Sequence, residues 1–103
     1  MKEAFNKLQP STRRWIASLR KRLVLEDYIV RLLILTGQAW DRAQEARRMI
    51  ERDGPIQTDR FGQRKPHPAI HIEAVAMLNF AKLLRETGID LNKPDDPRPP
   101  RQY

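Results

Sequence analysis

Between Glu26 and Asp53 the chain reads as one unbroken helix, and that segment dictates what the rest must supply. Leu25, Tyr28, Ile29, Leu32, Ala39, Trp40, Ala43, Ala46 and Ile50 recur with helical spacing and predict a core-facing stripe. Glu26 and Asp27 in the first turn suit the helix dipole, as do Arg47, Arg48 and Arg52 near the end. Gly54 followed by Pro55 stops the helix. At 1.5 Å per residue it is roughly 40 Å long. Its first half is apolar nearly all round, because Val30, Leu33, Ile34 and Leu35 point away from the main stripe. Such a helix needs cover on two sides. Gly37 costs about 1 kcal/mol relative to alanine there, so it either serves a close helix approach or is neutral.

A chain of 103 residues has little else with which to cover a second side. The helix predicted over 68–87 sharpens the point. Ile70, Ile72, Ala74, Ala76, Met77, Phe80, Ala81, Leu83 and Leu84 occupy more than half its circumference, leaving a narrow polar arc of Asn79, Lys82, Arg85 and Glu86. Two helices too apolar for a lone monomer predict a homo-oligomer that shares its core among subunits. Leu33, Ile34, Leu35, Met77, Phe80 and Leu84 are the expected subunit contacts.

Ser11, after Pro10, can cap a further helix over about 11–22. Trp15, Ile16, Leu19 and Leu23 fall on one arc of it, and Arg13, Arg14, Arg20 and Lys21 on the opposite one. Residues 55–67 read as a turn or short hairpin around Asp59-Arg60-Phe61-Gly62. Pro68 suits the first position of the last helix, and Gly88 its end. Pro94, Pro97, Pro99 and Pro100 make 92–103 an extended, proline-rich tail. The expected architecture is all-α. A single helical domain spans 11–91, with helices over about 11–22, 26–53 and 68–87, preceded by an arm at 1–10.

The net charge of +7 is concentrated. Residues 1–24 carry Lys2, Lys7, Arg13, Arg14, Arg20, Lys21 and Arg22 against Glu3 alone, and the middle loop adds Arg60, Arg64 and Lys65 against Asp59. A basic end of this kind points to a polyanion partner. Arg13, Arg14, Arg20, Lys21, Arg22, Arg60, Arg64 and Lys65 are therefore the candidate phosphate contacts. The bland alternative for each group is a solvated surface.

Catalytic and cofactor chemistry finds no support. There is no cysteine, which excludes thiol catalysis and Cys-ligated metals. Neither GxxxxGK[ST] nor GxGxxG occurs. His67, His71 and Glu73 lack the spacing of a metal site, and Asp41 with Glu45 reads as a solvated helix face rather than an acid–base pair. Trp15 and Trp40 read as core or subunit contacts rather than base-stacking platforms. The charged start is no secretory signal and the longest apolar stretch is too short for a bilayer, so a soluble intracellular protein with no cofactor and no membrane contact is expected.

Several of these pieces together resemble the small subunits of tailed-phage terminases. The resemblance rests on Trp15 and Ile16, Leu25-Glu26-Asp27, Ala39-Trp40-Asp41-Arg42-Ala43, Glu51-Arg52-Asp53-Gly54, Asp59-Arg60-Phe61-Gly62, His67-Pro68, and Leu84-Arg85-Glu86-Thr87-Gly88-Ile89. It covers roughly residues 14–91 and consists of structural and turn positions, with no catalytic signature. It implies a helical protein that forms a ring in the host cytoplasm and recognises double-stranded viral DNA. It also implies a partner, the large terminase subunit, whose ATPase and nuclease the small subunit regulates. Some members carry a separate helix-turn-helix ahead of the oligomerisation helices, for which this sequence has no obvious room. Two other readings of the same residues remain: a dimeric helical transcription regulator, which requires a recognition helix with polar base-reading side chains, and a protein-interaction adaptor whose cations serve solubility or an acidic partner.

Overall fold

The structure is a computed structural model and describes residues 2–90; the proline-rich tail expected over 92–103 lies outside the described residues. The elements in chain order are α1 (Lys2–Asn6), α2 (Pro10–Arg22), α3 (Asp27–Asp53), β1 (Ile56–Thr58), β2 (Arg64–Pro66) and α4 (Pro68–Glu86). The fold is mostly helical, with one small antiparallel ribbon that pairs Ile56 with Pro66, Gln57 with Lys65 and Thr58 with Arg64.

Helix α3 is the spine. Helix α2 folds back along its first half, with the start of α2 level with Asp41, and α4 runs antiparallel along it from the other end. The α3–α4 register is marked by three pairs: His67 against Asp53, Arg47 against Glu73, and Trp40 against Phe80. Along α4 the shielded positions Ala69, Glu73, Ala76, Phe80 and Leu83 follow one another at alternating steps of four and three. Along α3 the shielded positions include a row, Ile50, Ala46, Ala43, Ala39 and Thr36, at the same steps. That is the heptad rhythm of two helices meeting along a narrow seam. Because the seam is built largely from alanine, the bulky residues of α4 are displaced outward. Ile70, Ile72, Val75, Met77 and Leu78 are all exposed, Leu78 at 72%.

Two separate cores result. Leu8, Ile16, Leu19, Ile29, Val30, Leu33 and Ile34 form one, with Ala4, Phe5, Trp15, Leu23 and Ile89 packed against it. Ala46, Ile50 and Ala69, joined by Met49, form the other. Gly37 explains how α2 approaches so closely: a Cβ there would lie 2.8 Å from Cγ2 of Thr12, 3.4 Å from Leu8 and 3.5 Å from Ile16.

The structure corrects three expectations here. Leu33 and Ile34 are not available to a neighbouring subunit, since they are 0% and 5% exposed inside the first core. The cover comes from residues 1–10, where α1 and Leu8 supply apolar groups. The stripe of α3 is rotated accordingly, leaving Tyr28 half exposed and Leu35 at the surface. Finally, Ser11 does not cap α2. Pro10 occupies the first helical position behind Gln9, and the anionic cap comes from across the interface, where Asp41 accepts from the Gln9 N–H at 2.8 Å and the Thr12 hydroxyl at 2.6 Å.

Candidate nucleic-acid interface

Of the predicted contacts on α2, Arg14, Arg20, Lys21 and Arg22 are exposed. Arg13 is half-buried, and its Nη1 donates to the Asn6 carbonyl at 2.9 Å, tying α2 to the end of α1. Arg20, Lys21 and Arg22 crowd the last turn of α2, where the helix dipole favours cations. They therefore have a local structural reason to be there as well as any role toward a ligand.

Arg60, Arg64 and Lys65 stand on the β-ribbon, every strand residue of which is exposed. With no apolar face to hold it, the ribbon depends on polar geometry. Asp59 Oδ1 accepts from the N–H groups of Phe61 at 2.8 Å and Gln63 at 2.9 Å, and Gly62 takes the positive φ of 81° that the turn requires. The Gln63 N–H, the Phe61 N–H and Lys65 Nζ at 3.4 Å all favour the charged carboxylate, so the Asp59 pKa lies below its ordinary value. At the tip the Arg60 guanidinium sits 4.9 Å from the centroid of the Phe61 ring, and Phe61 is 75% exposed. Phe61 is not among the contacts expected from sequence; its place between Arg60 and Gly62 in a turn is the available signal.

The base of the ribbon is anchored by His67. Its Nδ1 accepts from the Ala69 N–H at 2.9 Å, capping α4, which places the ring proton on Nε2 facing Asp53 Oδ2 at 2.9 Å. The His67 N–H donates to the Pro55 carbonyl at 2.8 Å, closing the loop. Asp53 also receives both forks of Arg52 at 2.8 and 2.9 Å. Arg52 first and His67 second hold the Asp53 pKa well below the usual carboxylate range. His67 is thus a buried structural residue, whereas His71 is exposed on α4. Among the described residues no group of three or more acidic or histidine side chains is placed to hold a metal.

The two cationic groups are not brought together. Arg20, Lys21 and Arg22 lie where a four-residue connection leads into the start of α3 and the ribbon leaves its end, so roughly 40 Å of helix separates them, whereas Arg13 and Arg14, in the turn of α2 level with Asp41, lie nearer the middle of α3. Of the expected subunit contacts that stay outside the first core, Leu35 and Met77 are exposed, whereas Phe80 and Leu84 are half-buried. Asp41, read as half of a solvated carboxylate pair, is instead held at the start of α2 by Gln9 and Thr12, while Glu45 is exposed. Trp15 and Trp40 meet with Phe80 around a cavity of about 400 Å³.

A family model described as phage terminase, small subunit, matches residues 13–93, which takes in both patches, the ribbon, and all of α3 and α4. The chain belongs to the phage terminase small subunit family. No curated protein and no solved structure matches it. Membership of the terminase small subunits gives it a role in phage DNA packaging, in a family that is generally non-catalytic. Among the described residues of this terminase small subunit, no helix is long and apolar enough to cross a membrane.

Proposed function

We propose that this chain is the non-catalytic DNA-recognition subunit of a phage terminase, working as a homo-oligomeric ring in the host cytoplasm and regulating the ATPase and nuclease of the large subunit. The observation that carries this reading is the family match over 13–93, a stretch that contains every candidate phosphate contact. Arg14, Arg20, Lys21 and Arg22 on α2, with Arg60, Arg64 and Lys65 on the ribbon, are the phosphate contacts. Arg13 joins them from the first turns of α2, where its guanidinium is tied to the Asn6 carbonyl. Subunit contacts fall to Leu35 and the outward face of α4, where Ile70, Ile72, Val75, Met77 and Leu78 leave more apolar surface than a monomer keeps in water.

The test is duplex DNA binding by fluorescence anisotropy across a salt series. Each phosphate contact contributes about 0.9 to the slope of log K against log salt. Replacing Arg14, Arg20 and Lys21 with alanine lowers the slope by roughly 3, and replacing Arg60, Arg64 and Lys65 does the same for the second patch. Unchanged slope and affinity for both variants would remove these residues from DNA binding. No binding at low salt would favour the protein-interaction adaptor.

A further inference from the structure

The cavity at the start of α2 is not used by anything described so far. Its walls are Trp15, Trp40 and Phe80, with Ser11 and Thr12 at the side. Trp40 and Phe80 are 5.1 Å apart and tilted by 50°, and Trp40 remains 38% exposed, so flat aromatic faces are open to a ligand. Aromatic plates beside hydrogen-bond donors are the surface chemistry that accepts a polyproline II segment. Pyrrolidine rings lie on the plates, and an indole N–H or the Ser11 hydroxyl meets carbonyls that proline-rich chain leaves unpaired, the Thr12 hydroxyl being held by Asp41.

The chain carries such a segment and delivers it to this place. Pro94, Pro97 and Pro100 are three residues apart. Polyproline II has three residues per turn and rises about 3.1 Å per residue, so in that conformation these prolines would share one edge about 9 Å apart, with Pro99 off it. The described chain ends less than two helical turns of α4 and a short turn beyond Phe80. Gly88, at φ 71°, turns the chain out of α4, and Ile89 packs against the core that contains Ile16, the neighbour of Trp15. Phe80 lies six residues before the end of α4, a rise of about 9 Å. Four extended residues from Asp90 to Pro94 span roughly 13 Å, and Pro94 to Pro100 a further 19 Å or so. The segment therefore reaches the cavity of its own subunit without strain.

We propose that the Trp15–Trp40–Phe80 cavity seats the chain's own proline segment, Pro94 to Pro100, folded back along α2 with Pro94, Pro97 and Pro100 against the rings. Docking there gives the tail a seat on its own subunit rather than leaving it to an outside partner.

The chain has two tryptophans and both line the cavity, so indole emission reports on nothing else. In the full-length protein, Pro94→Ser, Pro97→Ser and Pro100→Ser together are expected to shift that emission to longer wavelength and to increase its quenching by acrylamide. Pro99→Ser leaves both unchanged. A synthetic peptide of residues 91–103, added to the triple variant, restores the original emission. Identical emission and quenching in wild type and triple variant would overturn the proposal, as would an equal effect of Pro99→Ser. Co-refolding the triple variant with excess Trp15→Phe/Trp40→Phe chains that keep the natural tail tests the source of the segment. If the variant's tryptophans become protected, the neighbour's tail occupies the cavity and the same-subunit assignment is wrong.

Discussion

Replacing Gly37 with alanine sets two effects of known size against each other. Alanine in a helix interior is favoured over glycine by about 1 kcal/mol, so on propensity alone Gly37→Ala stabilises α3. The new Cβ, however, would stand 2.8 Å from the Thr12 methyl, where ordinary contact begins near 3.4 Å. Thr12 cannot swing that methyl aside freely, because its hydroxyl donates to Asp41 at 2.6 Å. Forcing a methyl into a packed interface costs about 1–3 kcal/mol, and loosening a hydrogen bond to a charged acceptor about 1.5–3 kcal/mol. Set against the propensity gain, the two costs together leave a net loss of roughly 1.5–5 kcal/mol, which lowers Tm by at least about 6 °C in a domain of this size. In a Thr12→Ser background the methyl is gone and the hydroxyl stays. The remaining approaches, 3.4 Å to Leu8 and 3.5 Å to Ile16, are ordinary contacts, so Gly37→Ala becomes stabilising by up to about 1 kcal/mol. Thermal unfolding of the four proteins at one fixed concentration, followed by circular dichroism, measures the coupling directly. A higher Tm for Gly37→Ala in the natural background, or the same loss in both backgrounds, would refute the assignment of Gly37 to close approach.

Asp41→Ala removes the acceptor for Gln9 and Thr12 and is expected to cost about 1–2 kcal/mol by urea titration, with Asp41→Asn costing less. The pKa values of Asp53 and Asp59 are both lowered in the fold, so the unfolded chain binds more protons in acid. Their stabilisation is complete above the unfolded value near 4 and is lost as pH falls through and below it; Tm measured against pH should drop there, and less steeply in Asp53→Asn. Leu78→Glu, on the most exposed apolar position of α4, should lower the solution mass by light scattering without loss of helical circular dichroism. An intact assembly would exclude this face from subunit contact.

The helix limits were legible because they are set locally. Pro10, Gly54-Pro55, His67-Pro68 and Gly88 punctuate the chain by their own backbone preferences, and the structure places the ends within a residue or so of them. What sequence periodicity could not supply was the side on which each apolar residue meets its partner. Helix α1 is only five residues long and exists by tertiary contact, so Leu33 and Ile34 read as uncovered when Leu8 and its neighbours cover them. Asp41 caps a helix 29 residues distant, and His67 meets Asp53 across the ribbon; neither pairing leaves a mark in local spacing. The apolar face expected for α4 leaves out Val75 and Leu78, which the structure turns outward. The small residues Ala43, Ala46, Ala69 and Ala76 are the clue to the seam, since closely spaced helices exclude larger side chains. The cations were readable as types and as exposed groups, but not their separation by the length of α3.

Because the two cores share only the spine, the molecule has no reason to open all at once. Amide hydrogens of α3 from Ile29 to Gly37, enclosed by α1, α2 and Ile89, belong to the part that exchanges only with full unfolding. Those near Ile50 and along α4 are guarded by an alanine seam, one bidentate Arg47–Glu73 bridge and the His67 anchor. That end can loosen while the other stays intact. A subunit that buries the outer face of α4 on assembly would then rigidify its weaker half and leave its stronger half unchanged.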